Sequence, residues 1–456
     1  MRLLPDRSGV TTPAMREART VFRRPPGPAP AVELGVNPET LGTLSSVSDK
    51  FGDIACMNQR GGRLAYFINE PAAIRRILVR RHARYVKGPG FERVRMLLGN
   101  GLIVSDGDIW RRSRTMIQPS FSRQNVHRLL KVMVQCCDRR AVKWAQAAGQ
   151  GVVVNITAET SDFALELILI SIFGDDYESM IVAGGENPFA FLASDSTRDL
   201  RVVLKARNLR NLLLEIIGKR RASARGKSFD FLSMYMEATD KRGVPFSDSE
   251  LLDELITLIV AGFETSANTL NWVWHLLAGH PQVEERLLDE CSRSMLNVSA
   301  VSPQSLAEMT YAQQVLEEVL RLYPPVWLFT RRSREDDELD DFDVPPGTDI
   351  YLSPYILHRS PSHWPDSDSF DPDRFDLGRL ATAGVAKNDR PYFPFSLGPR
   401  RCLGEYFSFL EMKVHLGLLL PRFRMMRVNE GDPGIEFAIN LRSASDILLK
   451  PLTRTA

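Results

Sequence analysis

The stretch Phe395-Ser396-Leu397-Gly398-Pro399-Arg400-Arg401-Cys402-Leu403-Gly404 decides the fold of this chain, and an apolar helical pattern begins directly after it at Glu405. Gly398 and Gly404 permit sharp turns and a close approach of the backbone to a flat ligand. Cys402 lies at the start of the predicted helix, where free backbone N–H groups and the helix dipole favour a negative charge. The spacing therefore indicates a loop that presents one thiolate.

The helix start alone does not make Cys402 an anion. It stabilises a negative charge by roughly 0.3–1 kcal/mol, and a free thiol has a pKa of about 8.5, so the thiol form would still dominate. Coordination to a metal removes the proton outright. The alternative is a buried structural cysteine, the commoner fate of a single cysteine. Because the surrounding residues stand at fixed spacings, we interpret Cys402 as the axial thiolate ligand of a haem iron.

The stretch resembles the haem-binding signature of the cytochrome P-450 superfamily, F-x-x-G-x-R-x-C-x-G, at every position. The resemblance implies a mainly α fold with a smaller β-rich part (α+β), in which a long central helix lies over haem b (iron protoporphyrin IX). It also implies that Phe395 screens the sulfur from water. Arg400 would reach a haem propionate as a charge-assisted donor.

Composition excludes several other classes of protein. The chain has 456 residues, 44% of them hydrophobic, and a net charge of +2, which gives no general argument for nucleic acid as a partner. Its five cysteines are scattered and form no C-x-x-C pair, which points to a reducing compartment without a disulfide framework and makes an iron–sulfur cluster unexpected. Near the N-terminus there is neither an apolar run of ~20 residues nor the apolar centre of a signal peptide. We expect a cytoplasmic monomer without a membrane anchor.

The arginines and prolines near the N-terminus divide the chain into two predicted regions. Residues 1–30 carry scattered arginines and then Pro25-Pro26-Gly27-Pro28, which predicts a mobile or extended arm that ends in a stiff proline segment. Residues 31–456 are predicted to form a single haem-thiolate catalytic domain.

The longest predicted helix begins at Ser247, which forms a capping box with Glu250, and runs to about Gly279. At 1.5 Å per residue it would be roughly 50 Å long. Leucines and isoleucines leave no wide polar face in its first half, so it must pass through the core. Its middle nevertheless contains Ala261-Gly262-Phe263-Glu264-Thr265-Ser266.

Those central residues have two interpretations. Thr265 could simply bond back to the carbonyl four residues earlier. A-G-x-[DE]-T also resembles the oxygen-activation stretch of the same superfamily. The resemblance assigns catalytic roles to Ala261, Gly262, Glu264 and Thr265, with Thr265 and Glu264 delivering protons during O2 activation.

Further motifs occur in the order typical of the superfamily. Trp110 and Arg114 share a helix face, and W-x-x-x-R resembles the pair that holds a haem propionate, although a solvated basic turn is the usual interpretation of such a sequence. Glu318 and Arg321 stand three residues apart on a predicted helix, and with Arg374 they resemble the structural Glu-Arg-Arg triad. An extended segment is predicted after Pro324-Pro325. In the superfamily that it resembles this strand runs past the haem, and the register from Pro346-Gly347 favours Arg331 over Arg332 as a propionate ligand.

The expected reaction is insertion of one oxygen atom from O2 into a C–H bond, or epoxidation, of an apolar molecule such as a fatty acid, terpenoid, steroid or polyketide. No flavin or dinucleotide motif is visible, so electrons would come from a separate ferredoxin or flavodoxin with its NAD(P)H reductase, docked on a basic patch including Arg111, Arg112 and Arg401. A peroxide-using or rearranging haem-thiolate enzyme and a haem-binding sensor are the alternatives. The predicted pocket residues, which could equally be core, are Phe91, Val94, Leu97, Leu98, Leu258, Val326, Trp327 and Leu328.

Overall fold

A computed structural model describes residues 22–35, 37–59, 61–178, 200–222, 229–294, 301–382, 390–429 and 431–454. The helices in these ranges are α1 (Pro38–Phe51), α2 (Pro71–Arg75), α3 (Phe91–Leu98), α4 (Gly107–Ile117), α5 (Arg123–Arg128), α6 (Leu130–Gln150), α7 (Ile156–Phe173), α8 (Leu200–Ala222), α9 (Phe231–Glu237), α10 (Asp248–Gly279), α11 (Pro281–Ser294), α12 (Pro303–Glu308), α13 (Thr310–Leu322), α14 (Pro354–Leu357), α15 (Leu377–Thr382) and α16 (Glu405–Leu419). The strands are β1 (Ile54–Asn58), β2 (Leu64–Ile68), β3 (Tyr85–Lys87), β4 (Val154–Asn155), β5 (Phe329–Ser333), β6 (Asp337–Leu339), β7 (Phe342–Val344), β8 (Asp349–Leu352), β9 (Phe423–Arg427), β10 (Ile435–Phe437), β11 (Leu441–Ser443) and β12 (Leu448–Thr453). The mainly α fold with a smaller β part is confirmed.

The central helix α10 is the axis of the helical part. The side chain of Ser247 accepts from the backbone N–H of Glu250, and the Glu250 carboxylate accepts from the backbone N–H of Ser247 at 2.8 Å, so the predicted capping box is present. Most of the helix is buried, and α7 packs along it. An apolar helix of this length is stabilised because it buries nearly all of its surface inside the protein.

The largest sheet has the strand order β1-β2-β8-β5-β3. Two β-like runs between Ile54 and Asn69, separated by Gly61-Gly62, predict a hairpin from the sequence. It is present, with Ile54 opposite Ile68 and Asn58 opposite Leu64. Strand β5 lies antiparallel to both β8 and β3, and the β3 pairing places Lys87 opposite Arg331. This edge of the sheet therefore brings two basic residues from distant parts of the sequence together.

The N-terminal prediction needs correction for the residues that the structure describes, and residues 1–21 lie outside them. The proline segment packs against β1, because the backbone N–H of Cys56 donates to the carbonyl of Pro26 at 2.9 Å. Arg23 forms ion pairs with Glu338 and Asp341. Residues 22–30 are thus held on the sheet rather than extended as an arm.

In the sequence, the spaced glycines of the segment from Lys87 to Val104 predict an apolar loop, but the segment contains the helix α3. Gly90 and Gly99 bound this helix with φ angles of +94° and +72°, which glycine adopts without strain. The glycines therefore close a short helix at both ends instead of breaking up a loop.

None of the helices in the described ranges combines the length and the apolar character that a membrane span requires.

Candidate functional site

Cys402 lies in a tight turn directly before α16. Its backbone N–H donates to the carbonyl of Phe395 at 2.9 Å, and the N–H groups of Gly404 and Glu405 interact with its sulfur. Gly398 has a φ of +69°, and a Cβ there would overlap the carbonyl of Leu78. The turn therefore tolerates only glycine at this position.

Cys402 is also the one exposed cysteine of the chain, since the other four are buried. Its thiol is accessible from a cavity but lies deep within the protein. This burial raises the pKa of Cys402, while the Gly404 N–H and the Arg114 guanidinium act in the opposite direction. Protein groups alone thus favour the thiol, and a bound cation would be needed to hold the thiolate.

Three cations converge near this loop, namely Lys87, Arg331 and Arg400, and we refer to them as the cation cluster. Among the described residues, Asp106 is the one carboxylate that acts on their pKa values, and it lies within ion-pair distance of Arg400. Burial lowers the pKa of Arg331 to about 10, and burial together with both arginines lowers the pKa of Lys87 well below its usual value. The cluster therefore carries more positive than negative charge, which is the environment expected around an anionic ligand.

The other predicted propionate ligands lie beside the cluster. The Arg400 guanidinium stacks on the ring of Trp110 with 4.4 Å to its centroid. Arg114 donates to the carbonyl of Arg401 at 2.8 Å, next to Cys402. Phe395 contacts the ring of Phe409 on α16. Sequence reasoning missed Lys87 and Asp106, because their roles depend on strand pairing and on contacts across almost 300 residues.

A stripe along α10 stays partly accessible although the helix is central. It consists of Leu258, Ala261 and Thr265, which recur at helical spacing and stay partly accessible. The Thr265 hydroxyl donates to the carbonyl of Ala261 at 2.9 Å, which is the local bond considered above. The stripe is therefore available to form one wall of a ligand cavity.

Two other predicted catalytic residues, Glu264 and Gly262, face protein rather than this wall. Burial raises the pKa of Glu264, whose carboxylate hydrogen-bonds Asn440 and lies near Arg442. A Cβ on Gly262 would lie 2.9 Å from the side chain of Ile168 on α7. Close packing of two helices is thus a sufficient reason for glycine at this position.

The predicted pocket residues divide into two groups. Phe91, Val94, Leu258, Val326 and Leu328 are partly buried and are available to line a cavity. The side chain of Leu97 lies outside what the structure describes.

The other two predicted pocket residues belong to the packed core. Trp327 is fully buried and donates from its indole to the carbonyl of Ala438 at 2.9 Å, and Leu98 is 5% exposed. Their assignment to the pocket is corrected, since both already make close contacts with protein.

The structure brings together the predicted triad. Arg321 makes two hydrogen bonds to the Glu318 carboxylate, at 2.7 and 2.8 Å, and both side chains are completely buried. Arg374 lies 3.4 Å from the same carboxylate. Arg321 also donates to the carbonyls of His358 and Ser367. The carboxylate thus ties α13 to the segment that precedes the Cys402 loop.

The predicted docking patch is only partly present. Arg112 is held by Asp240 and Glu250 and is largely covered, so it is removed from the patch. Arg111 and Arg401 are exposed, although each pairs with a neighbouring carboxylate. The cavity that contains Cys402 has a volume of about 660 Å³, and four further basic residues line it: Arg75, Arg123, Arg390 and Lys413.

These features fit a haem. The accessible sulfur can bind iron, and the cation cluster lacks the negative charge that two propionates carry. The accessible stripe of α10 can face a macrocycle. No group of His, Cys, Asp and Glu residues suited to a separate metal ion occurs among the described residues.

Comparisons with known proteins identify the family of the chain. A model of the cytochrome P450 family matches residues 25–181 and 186–450. The chain is 32% identical to "Cyclooctatin synthase" of Streptomyces melanosporofaciens over 80% of its length and 81% of that protein. It is 28% identical to "Pentalenene oxygenase" of Streptomyces avermitilis (80% and 82%) and 29% identical to "Protein LUTEIN DEFICIENT 5, chloroplastic" of Arabidopsis thaliana (82% and 68%). The chain belongs to the cytochrome P450 family.

Proposed function

We propose that this cytochrome P450 monooxygenase uses haem b to insert one oxygen atom into a C–H bond of a terpenoid. The observation that carries the assignment is the accessible sulfur of Cys402, held by the N–H groups of Gly404 and Glu405 beside an undercompensated cation cluster. A haem bound through this thiolate supplies the activation of O2. Cys402 would be the iron ligand, and Lys87, Arg331 and Arg400 would hold the propionates with Trp110 and Arg114 beside them.

The chain's own residues would deliver protons on the α10 side of the cavity. The raised pKa of Glu264 lets this carboxyl group hold a proton closer to neutral pH than an ordinary glutamate. The Glu264 carboxyl group is hydrogen-bonded to Asn440, which lies directly before β11. It therefore points away from the Ala261 carbonyl that accepts the bond from the Thr265 hydroxyl. The Thr265 hydroxyl would have to rotate out of that local bond to donate into the cavity.

The terpenoid substrate is inferred from two lines of support. The partly buried residues available to the cavity wall are apolar, which suits a hydrocarbon skeleton but does not select one. Relatives carry the names "Cyclooctatin synthase", "Cyclooctat-9-en-7-ol 5-monooxygenase" and "Pentalenene oxygenase". A spectral titration against terpenoids, steroids and fatty acids tests this choice, and a preference for fatty acids would contradict it.

Electrons are proposed to come from a separate ferredoxin or flavodoxin that docks beside the Cys402 loop. Arg111 and Arg401 remain candidates for this surface because their side chains are exposed. Turnover should fall steeply as ionic strength rises, since exposed charges are screened. A rate that is independent of salt would remove the charged surface from the proposal.

The deciding experiment is Cys402→Ser. The unsubstituted protein, reduced and exposed to carbon monoxide, should show the red-shifted Soret band of a thiolate-ligated haem, and the variant should lose it. Ser396→Ala is a matched control, because this serine lies in the same loop and its buried hydroxyl has no hydrogen-bond partner among the described residues. A Cys402→Ser protein with an unchanged spectrum would refute the assignment.

Thr265→Ala separates a monooxygenase from a peroxide-using or rearranging enzyme. Loss of the hydroxyl should leave NAD(P)H consumption largely intact while hydrogen peroxide accumulates in place of product. The measurement is the ratio of product to NAD(P)H consumed. An unchanged ratio would show that Thr265 has no part in proton delivery.

A further inference from the structure

Two successive carboxylates of α10 bind the backbone of the loop between α3 and α4. Asp253 accepts from the N–H of Asn100 at 2.8 Å, and Glu254 accepts from the N–H of Leu102 at 2.9 Å. Both carboxylates are largely covered, and Glu254 is 3% exposed. Charge-assisted bonds from backbone donors are strong and directional, so they define the position of this loop.

The loop lies directly on the helix surface. A Cβ on Gly99 would overlap the Asp253 carboxylate, and a Cβ on Gly101 would overlap the hydroxyl of Thr257. Only glycine allows the backbone to approach α10 this closely. The first accessible residue of the α10 stripe, Leu258, follows directly after Thr257.

The last residues of the loop are joined both to α3 and to the Cys402 loop. Arg95 of α3 donates to the carbonyl of Val104 at 2.8 Å, which fixes the loop to the helix that carries Phe91 and Val94. The neighbouring carbonyl of Ser105 accepts from Arg400 at 3.1 Å, and Arg400 lies two residues before Cys402. A shift of the loop on α10 would therefore move α3 relative to the haem ligands.

Asp253 also holds a third element. Arg210 of α8 donates to the other oxygen of the Asp253 carboxylate at 3.0 Å. One side chain thus joins α8, α10 and the loop, and both of its oxygens are used. In an asparagine at this position one of the two oxygens is replaced by an NH2 group, which donates, so that one of these two bonds would be lost.

We propose that Asp253 and Glu254 are positioning residues that set the size of the substrate cavity by holding the loop Asn100–Ser105, and with it α3, on the central helix. The inference rests on the proposed function, because it assumes that the cavity between α3 and α10 receives the substrate. Asp253 has the larger role, since it also anchors α8. The ligand would be a molecule with an apolar body that contacts the side chains of α3.

The test uses the haem-loaded full-length protein, the variant Asp253→Asn and two azoles that ligate haem iron. Imidazole is too small to reach a distant wall, whereas 4-phenylimidazole adds an apolar ring that does. We expect the Kd of 4-phenylimidazole to rise roughly tenfold in the variant, the effect of losing a few apolar contacts, while that of imidazole stays within about twofold. Arg210→Met, which removes only the α8 contact, should give a smaller change in the same direction.

Asp248→Asn is the matched control. Asp248 lies on the same helix and pairs with another α8 residue, Arg221, at 2.7 Å, and among the described residues it makes no hydrogen bond or ion pair with the loop. This variant should leave both Kd values unchanged. An equal effect of Asp248→Asn and Asp253→Asn would overturn the proposal, because it would show that only the attachment of α8 matters.

Hydrogen–deuterium exchange gives a readout that does not depend on ligand binding. The peptide covering residues 99–105 should exchange at least tenfold faster in Asp253→Asn, since the Asn100 N–H loses its carboxylate. Unchanged exchange, or faster exchange with an unchanged ratio of the two Kd values, would overturn the proposal. Failure of the proposed function has a different signature, namely no thiolate spectrum in the unsubstituted protein.

Discussion

Two clusters of buried charge in this molecule differ in how completely their charges are paired. The Glu318–Arg321 pair satisfies itself, because the guanidinium is shared between one carboxylate and backbone carbonyls, and the carboxylate accepts a further bond from the Asp371 N–H. In the part of the chain that the structure describes, the cation cluster of Lys87, Arg331 and Arg400 has one neighbouring carboxylate for three positive groups. A complete set of partners indicates a structural role, and an incomplete one indicates a ligand site.

A third solution occurs on the helix that follows Cys402. Glu411 is 1% exposed, is bonded by the Ser266 hydroxyl of α10, and has one oxygen without a hydrogen-bond partner among the described residues. Burial raises its pKa to about 8. The group is therefore neutralised by a proton rather than by a cation or a ligand. The three cases can be distinguished by what each substitution does to stability.

The largest effect is expected for Glu318→Gln. The variant leaves the fully buried Arg321 without its anion, which should lower the free energy of unfolding by about 3–5 kcal/mol. The measurement is urea-induced unfolding. Glu215→Gln is the matched control, because its pair with Lys219 is exposed and worth less than about 0.5 kcal/mol. Similar losses in the two variants would mean that burial does not distinguish these pairs.

The next effect is a pH dependence at Glu411. In the unfolded chain a glutamate loses its proton near pH 4.3, whereas in the folded protein Glu411 keeps it until about pH 8. Between these values the folded state holds one more proton, so this group lowers the free energy of unfolding by up to about 1.4 kcal/mol for each unit that the pH rises. Glu411→Gln should remove that slope.

The comparison of wild type and Glu411→Gln therefore has a definite sign. Near pH 4.5 the two proteins should unfold at similar urea concentrations, and by pH 8 the variant should be the more stable one. Cys137, the other titratable group whose pKa Glu411 influences, has a raised pKa and stays neutral over this range. Parallel stability curves between pH 5 and pH 8 would show that Glu411 is ionised in the folded protein.

Local sequence signals predicted part of the fold well. The capping box at Ser247, the β1–β2 hairpin and the turn at Cys402 are each specified by residues within a few positions of one another, and each occurs where it was predicted. Helix α3 was missed because Gly90 and Gly99 indicate a loop when only composition is considered. Their left-handed backbone angles, which close the helix, arise only in the folded chain.

Predictions failed where a residue's role depends on a distant partner. Arg112 looks like a free basic residue in the sequence, but Asp240 lies 128 positions away and binds it. Trp327 was assigned to the pocket, although its partner Ala438 is 111 positions away. The same reason explains why Lys87 and the Asp253–Glu254 pair were not recognised, since their contacts join separate elements of the fold.

The smallest effect, and the sharpest contrast, is expected from two adjacent arginines. Arg331 has no ion pair among the described residues, whereas Arg332 is bonded to the buried Asp349 at 2.6 Å. In haem-free protein, Arg331→Met should leave the free energy of unfolding unchanged or slightly higher, because it removes a desolvated charge near Arg400. Arg332→Met should destabilise the same protein by leaving Asp349 without its cation.

The order should reverse when haem is bound. Arg331→Met would remove a charge-assisted bond to a propionate, worth about 1.5–3 kcal/mol, so haem should transfer to excess apomyoglobin at least tenfold faster. Arg332→Met should leave the transfer rate unchanged, because its partner is a protein carboxylate. If Arg331→Met destabilised the haem-free protein as much as Arg332→Met, the cation cluster would be a structural feature like the Glu318–Arg321 pair, complete without any ligand.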